Sequence, residues 1–84
     1  MKIESLIKMA NEISYFYEAE SGQDAPAAVA THLRRFWEPR MRKQMLEHYD
    51  RTGGEGLEEV ARKAVALLAA ERPSSAQQPP AARG

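Results

Sequence analysis

The sequence predicts an all-α protein: a small array of three to four short helices followed by a disordered C-terminal tail. Three observations lead there. Large apolar residues recur every three to four positions, the period of a helix, and nowhere alternate as in a half-buried strand. Helix-breaking residues cluster at three places, around Gly22, Pro39 and Gly53 to Gly56. Residues 73–84 carry no large apolar side chain, so nothing in them offsets the entropy of ordering. The expected organisation is therefore a helical domain over 1–72 and a Pro/Ala/Ser/Gln tail over 73–84.

The first helix runs from Ile3 to about Glu20, with Ile3, Leu6, Ile7, Ala10, Ile13 and Tyr17 on one stripe. Met9 and Phe16 widen it. Gly22 ends the helix by taking a backbone conformation open to glycine. Asp24 is a suitable N-cap for a second helix, and Pro26 is tolerated in its first turn. Val29, Ala30, Leu33, Phe36 and Trp37 continue the apolar face. Pro39 has no amide proton and clashes with the carbonyl of Arg35 in a continuous helix, while pushing Glu38 to an extended conformation. The chain therefore either kinks there or breaks into two helices, with Pro39 opening the third.

Met41, Met45, Leu46 and Tyr49 form the inner face of that third segment. Gly53-Gly54-Glu55-Gly56 cannot hold a helix and reads as a flexible connector. Leu57, Val60, Ala61, Ala64, Leu67 and Leu68 then repeat at helical spacing to about Ala70. Glu58 and Glu59 suit the positive end of this last helix and Arg72 its negative end. Of these apolar positions, Ile3, Leu6, Ile7, Ala10, Ile13, Val29, Leu33, Met45, Leu57, Val60, Ala64 and Leu67 are expected to make the core. An ordered part of roughly 70 residues gives a core contributing only about 3–5 kcal/mol.

Composition removes several classes of function. With no cysteine there is no disulfide, no thiolate metal site and no thiol nucleophile. No stretch reaches the length needed to span a bilayer and the N-terminus has no signal-peptide pattern, so a soluble chain retained in the cytoplasm is expected. The net charge of zero speaks against general nucleic-acid affinity. The charges are unevenly spread, however. Residues 1–30 set Lys2 and Lys8 against Glu4, Glu12, Glu18, Glu20 and Asp24. From His32 to Lys43 the bases are Arg34, Arg35, Arg40, Arg42 and Lys43, against Glu38 alone.

The chemistry-bearing side chains form no familiar constellation. Ser5, Ser14, Ser21, Thr31 and Thr52 could pair with His32 or His48, but none lies in a nucleophile motif. The two histidines are too far apart in sequence to share an ion on one helix. His32 reads as a solvated or half-buried packing residue and His48 as a base near the end of the third helix. The glycine run precedes a helix, as phosphate loops do. It lacks the Walker lysine and the preceding strand, and glutamates at the helix start repel phosphate.

What stands out is Arg34-Arg35-Phe36-Trp37-Glu38-Pro39-Arg40-Met41-Arg42, which holds the only tryptophan beside two aromatic-flanking arginines. Tryptophan and arginine are enriched at interface hot spots. The run reads as a protein-docking face made by Arg34, Arg35, Phe36, Trp37, Arg40 and Arg42, with Glu38 pairing some of the arginines internally. The alternatives are a solvated basic face and a nucleic-acid patch, and the acids of the first helix do not reinforce the latter.

Met9-Ala10-Asn11 followed by Ile13 and Phe16, together with His32-Leu33 and the Arg34–Arg42 run, is similar to the delta subunit of NAD-dependent, molybdenum-containing formate dehydrogenase. The resemblance extends over residues 1 to about 70. Its specificity lies in the Arg34–Arg42 run, and the glycine-rich loop and alanine-rich helix from Gly53 to Ala70 fit it less specifically. It implies a non-catalytic accessory subunit of a cytoplasmic complex that oxidises formate to carbon dioxide and reduces NAD. It implies no cofactor in this chain, the molybdenum cofactor, iron–sulfur clusters and flavin being carried by partner subunits. The implied role is assembly, stability or maturation of the complex, by docking on its large molybdenum-containing subunit, with no nucleic-acid or membrane partner. A transient factor for molybdenum-cofactor loading is the alternative, and a helical nucleic-acid-binding regulator a weaker one.

Overall fold

Four α-helices form in the order α1 (Ile3–Ser21), α2 (Ala25–Phe36), α3 (Pro39–Thr52) and α4 (Glu59–Ala70), with a 3-10 turn over Gly22–Asp24 between the first two. This computed structural model describes residues 2–72, and the expected tail over 73–84 lies outside the described residues. Among the described residues there is no strand. No helix there is long and apolar enough to cross a membrane.

The break at Pro39 is complete. Trp37 and Glu38 are extended, at ψ 141° and 152°, so α2 and α3 are two helices and not one kinked helix. Pro39 occupies the first turn of α3, where its missing amide proton has no partner to lose. At the other end of α2 the expected cap is absent: Asp24 precedes the helix but makes no side-chain capping bond. The 3-10 turn, which the spacing of apolar residues does not predict, leads the chain into α2 instead, with the Ala25 amide bonding to Gly22 O.

Helix α4 packs most extensively on α2, and α1 lies against both. Ala30, Ala61 and Ala64 in the core cluster let the helix backbones approach closely. Around them sit Leu6, Ala10, Val29, Leu33, Met45, Leu57, Val65 and Leu68, with Ile3, Ile7, Ile13 and Val60 packed against the cluster as partly buried neighbours. Trp37 completes it at 5% exposure.

Three expected core or stripe positions face out, one of them Phe16 on α1 at 58% exposure. Leu67 is 41% exposed, and Val65 and Leu68 are buried in its place. The inward face of α4 follows Ala61, Ala64, Val65 and Leu68, a stripe rotated from the one through Val60 and Leu67. The run Ala64-Val65-Ala66-Leu67-Leu68 is apolar on nearly every side, so its pattern does not choose a face. Phe36 is 69% exposed. The helical continuation from Val29 and Leu33 leads to Trp37, one turn past Leu33, and leaves Phe36 to one side.

Candidate docking surface

The six residues expected to dock a partner separate into two groups. Trp37, Arg34 and Arg42 are used inside the fold. Trp37 fills the core, a correction with a simple cause: at the end of α2 the largest apolar side chain covers the junction with α3. Arg42 donates from Nη1 to the backbone carbonyls of Arg34, at 3.1 Å, and of Trp37. Arg34 lies in the last turn of α2 and Trp37 is its C-cap, so neither carbonyl has a partner within the helix. Arg34 makes a two-pronged pair with Glu71, Nε to Oε1 at 3.0 Å and Nη2 to Oε2 at 2.7 Å. The acid that pairs Arg34 is thus Glu71, the C-cap of α4, and Glu38, expected to pair some of Arg34, Arg35 and Arg42, is in no ion pair among the described residues.

Arg35, Phe36 and Arg40 form the second group. All three are exposed, and among the described residues no carboxylate pairs with either arginine. Phe36 lies against His32 in a tilted arrangement, 4.8 Å between ring centroids and 41° between planes. His32 lies 6.0 Å from Tyr17, and Tyr17 meets Phe16 edge-on at 5.0 Å. Four aromatic rings thus run in contact from α1 across to the end of α2. Sequence reasoning placed Phe16 and Tyr17 on the apolar stripe of α1 and His32 as a packing residue, without joining them to Phe36. The helix periodicity of each segment was visible, but the side-by-side placement of α1 and α2 was not.

An open groove of about 380 Å³ is lined by Pro39, Arg42, Lys43, Leu46, Glu47 and Arg72. Arg72 there is held by Asp50, with Nη1 to Oδ2 at 2.9 Å and Nη2 to Oδ1 at 3.1 Å. The hydrogen bonds from Arg72 keep the Asp50 carboxyl below the usual aspartate range, against a smaller opposing effect of burial. Tyr15, on α1, is shifted the other way: the negative charge of Glu58 raises its phenol above the usual range, with burial and the hydrogen bond to Glu58 adding to it.

The glycine loop is not a loose connector. Thr52 Oγ1 accepts from the amides of Gly54 and Glu55 at 3.1 and 2.9 Å while donating to His48 O at 2.8 Å. His48, 7% exposed, donates from Nε2 to Glu55 O at 2.8 Å. Thr52 Oγ1 also lies 3.3 Å from His48 Nε2, the only hydroxyl–imidazole contact recorded among the described residues. A carbonyl can only accept, so Nε2 carries the proton and cannot act as base toward Thr52. The pair clamps the loop and is not a nucleophile with its base. Among the described residues no group of three or more histidines and carboxylates is placed to hold a metal ion.

Residues 5–65 match the family model described as NADH-dependent formate dehydrogenase delta subunit, FdsD. No curated protein matches the chain, and no solved structure does.

Proposed function

Because the chain belongs to the NADH-dependent formate dehydrogenase delta-subunit family, we propose that it is a non-catalytic subunit that supports assembly or stability of a cytoplasmic formate-oxidising complex. It does so by docking on the large molybdenum-containing subunit through Arg35, Phe36 and Arg40. Redox cofactors reside in the partner subunits, and this chain holds none.

The observation that carries this reading is the exposure of Phe36 between arginines without acid partners. An aromatic ring 69% exposed at a helix end leaves apolar surface in water. Truncation of Phe36 costs this fold little, whereas a partner that covers it gains apolar contact and two arginines ready to pair. Trp37, Arg34 and Arg42 support the same surface from behind by fixing the α2–α3 junction.

The test is co-purification of this chain with the large subunit from cells producing the whole complex. The wild-type chain is expected to remain at a fixed ratio in active enzyme, and the Arg35→Ala/Phe36→Ala/Arg40→Ala variant to be lost from it while staying helical alone. A chain found only with cofactor-poor enzyme points to a transient loading factor and overturns the subunit role.

A further inference from the structure

We infer that α3 is an arm: it detaches as a unit from a body made by α1, α2 and α4, and the docked partner holds it closed. The partner's part in this rests on the reading of the chain as a formate dehydrogenase subunit, whereas the arm itself does not.

The distribution of buried apolar side chains sets α3 apart. Helices α2 and α4, of 12 residues each, bury four apolar side chains apiece: Ala25, Val29, Ala30 and Leu33 in one, Ala61, Ala64, Val65 and Leu68 in the other. The 14 residues of α3 bury Met45 alone, with the polar His48. Partly buried Met41, Leu46 and Tyr49 add to it, against Ile3, Ile7, Met9, Ile13 and Tyr17 beside the buried Leu6 and Ala10 of α1. The seam is also incompletely filled, since the open groove of about 380 Å³ lies between the outer side of α3 and Arg72 at the end of α4. A segment with little apolar burial opens at a lower free energy than the rest of its fold.

The remaining fastenings are polar and sit toward the two ends of the helix. Near its start, Arg42 Nη1 donates to Arg34 O and Trp37 O. Near its end, Asp50 pairs with Arg72, Thr52 Oγ1 accepts from the Gly54 and Glu55 amides, and His48 Nε2 donates to Glu55 O. Water takes the place of each partner on opening, so these bonds resist detachment less than apolar burial does.

Both connections are built to hinge. Trp37 and Glu38 are an extended link, and Glu38 is exposed with no ion pair among the described residues. Gly53 has φ 78° and open space around it. Directly after Gly53 the chain is anchored again: the Leu57 amide donates to Gly54 O, and Asn11 ties Gly56 O and the Glu58 amide to α1. A few residues at the ends of an element suffice to absorb such a movement. A detached helix of 14 residues is marginal in water, so α3 unravels on leaving the body and its amides exchange.

The proposed docking surface spans the first hinge. Arg35 and Phe36 stand on α2 and Arg40 on α3, so the three share one surface only while the arm is closed. A partner that touches both sides binds the closed form in preference and shifts the population toward it.

The experiment is amide hydrogen exchange of the full chain alone, read residue by residue by NMR in water and in sub-denaturing urea. Amides from Lys43 to Thr52 are expected to exchange together, about tenfold faster than the slowest amides of α2 and α4. Their urea dependence is expected to be weaker, because opening the arm exposes only part of the surface. Asn11→Ala separates the two units further. The hydrogen bonds of Asn11 lie within the body, so their loss is expected to speed exchange in α1, α2 and α4 about tenfold and to leave α3 unchanged. Equal exchange in all four helices, slow or fast, or an equal effect of Asn11→Ala on α3, overturns the arm. In the assembled complex, exchange of α3 is expected to fall to the rate of α2. Exchange there as fast as in the free chain overturns the partner's role. Failure of the chain to co-purify with the enzyme removes the subunit reading instead, and the free-chain result then decides the arm by itself.

Discussion

Asn11, in the middle of α1, accepts a 2.8 Å hydrogen bond from the backbone amide of Glu58, at the start of α4. Its Nδ2 donates in turn to Gly56 O at 3.1 Å. Glu58 is the N-cap of α4 and makes no capping bond of its own, so a side chain from a distant helix pairs the amide that opens α4. The same two bonds fix the exit of the glycine loop. Asn11→Ala is expected to lower stability by about 1–2 kcal/mol in urea unfolding. Asn11→Asp keeps the acceptor and loses the donor, and is expected to fall between.

Trp37 and Phe36 are adjacent and predict opposite results. Trp37→Ala removes a nearly buried side chain and costs about 3–5 kcal/mol, most or all of the stability a core this size supplies. Phe36→Ala is expected to shift stability by no more than about 0.5 kcal/mol. Thermal unfolding of the two variants decides which aromatic is structural and which is free for a partner.

Arg42 joins the end of α2 to α3 through two backbone carbonyls, whereas Arg34 and Glu71 make a surface pair with side chains 44% and 48% exposed. Arg42→Ala is expected to cost about 1–2 kcal/mol because the carbonyls lose a charged donor. A double-mutant cycle on Arg34 and Glu71 is expected to give a coupling below about 1 kcal/mol that declines with added salt.

Gly53 and Gly54 both have positive φ, at 78° and 95°, but differ in the space around them. A methyl group at Gly53 meets nothing within 4 Å, so Gly53→Ala carries only the left-handed backbone cost of about 1 kcal/mol. At Gly54 it would lie 3.1 Å from Arg62 Cγ and 3.2 Å from Leu57 Cδ1. Gly54→Ala is therefore expected to be the more destabilising of the two in chemical unfolding.

The Asp50–Arg72 pair predicts a pH dependence. The Asp50 pKa is lowered in the fold from the ordinary value of 3.8, so its contribution is present above that value and is lost as pH falls through the lower folded value. Melting temperature of the wild type is expected to drop in that acid window more than that of Asp50→Asn. Both side chains are partly exposed, so added salt is expected to narrow the difference.

Much of this protein was set by sequence alone. Helical spacing and the breaks at Gly22, Pro39 and the glycine run determined three or four helical segments with nearly the observed ends, because those signals act within a few residues, and left the choice between a kink and a break at Pro39 to the fold. The Arg34–Arg42 run pointed to the delta-subunit family that residues 5–65 match. Periodicity also placed Leu6, Ala10, Val29, Leu33 and Met45 inside. Tertiary structure decided the rest. Whether Phe36 or Trp37 entered the core, and which side of the alanine-rich α4 faced α2, depended on how neighbouring helices packed. Arg34 found Glu71 and Asn11 found Glu58 across gaps of 37 and 47 residues, pairings that no local pattern encodes. The aromatic strip has the same origin: its rings come from two helices, and only their side-by-side packing brings Tyr17 to His32.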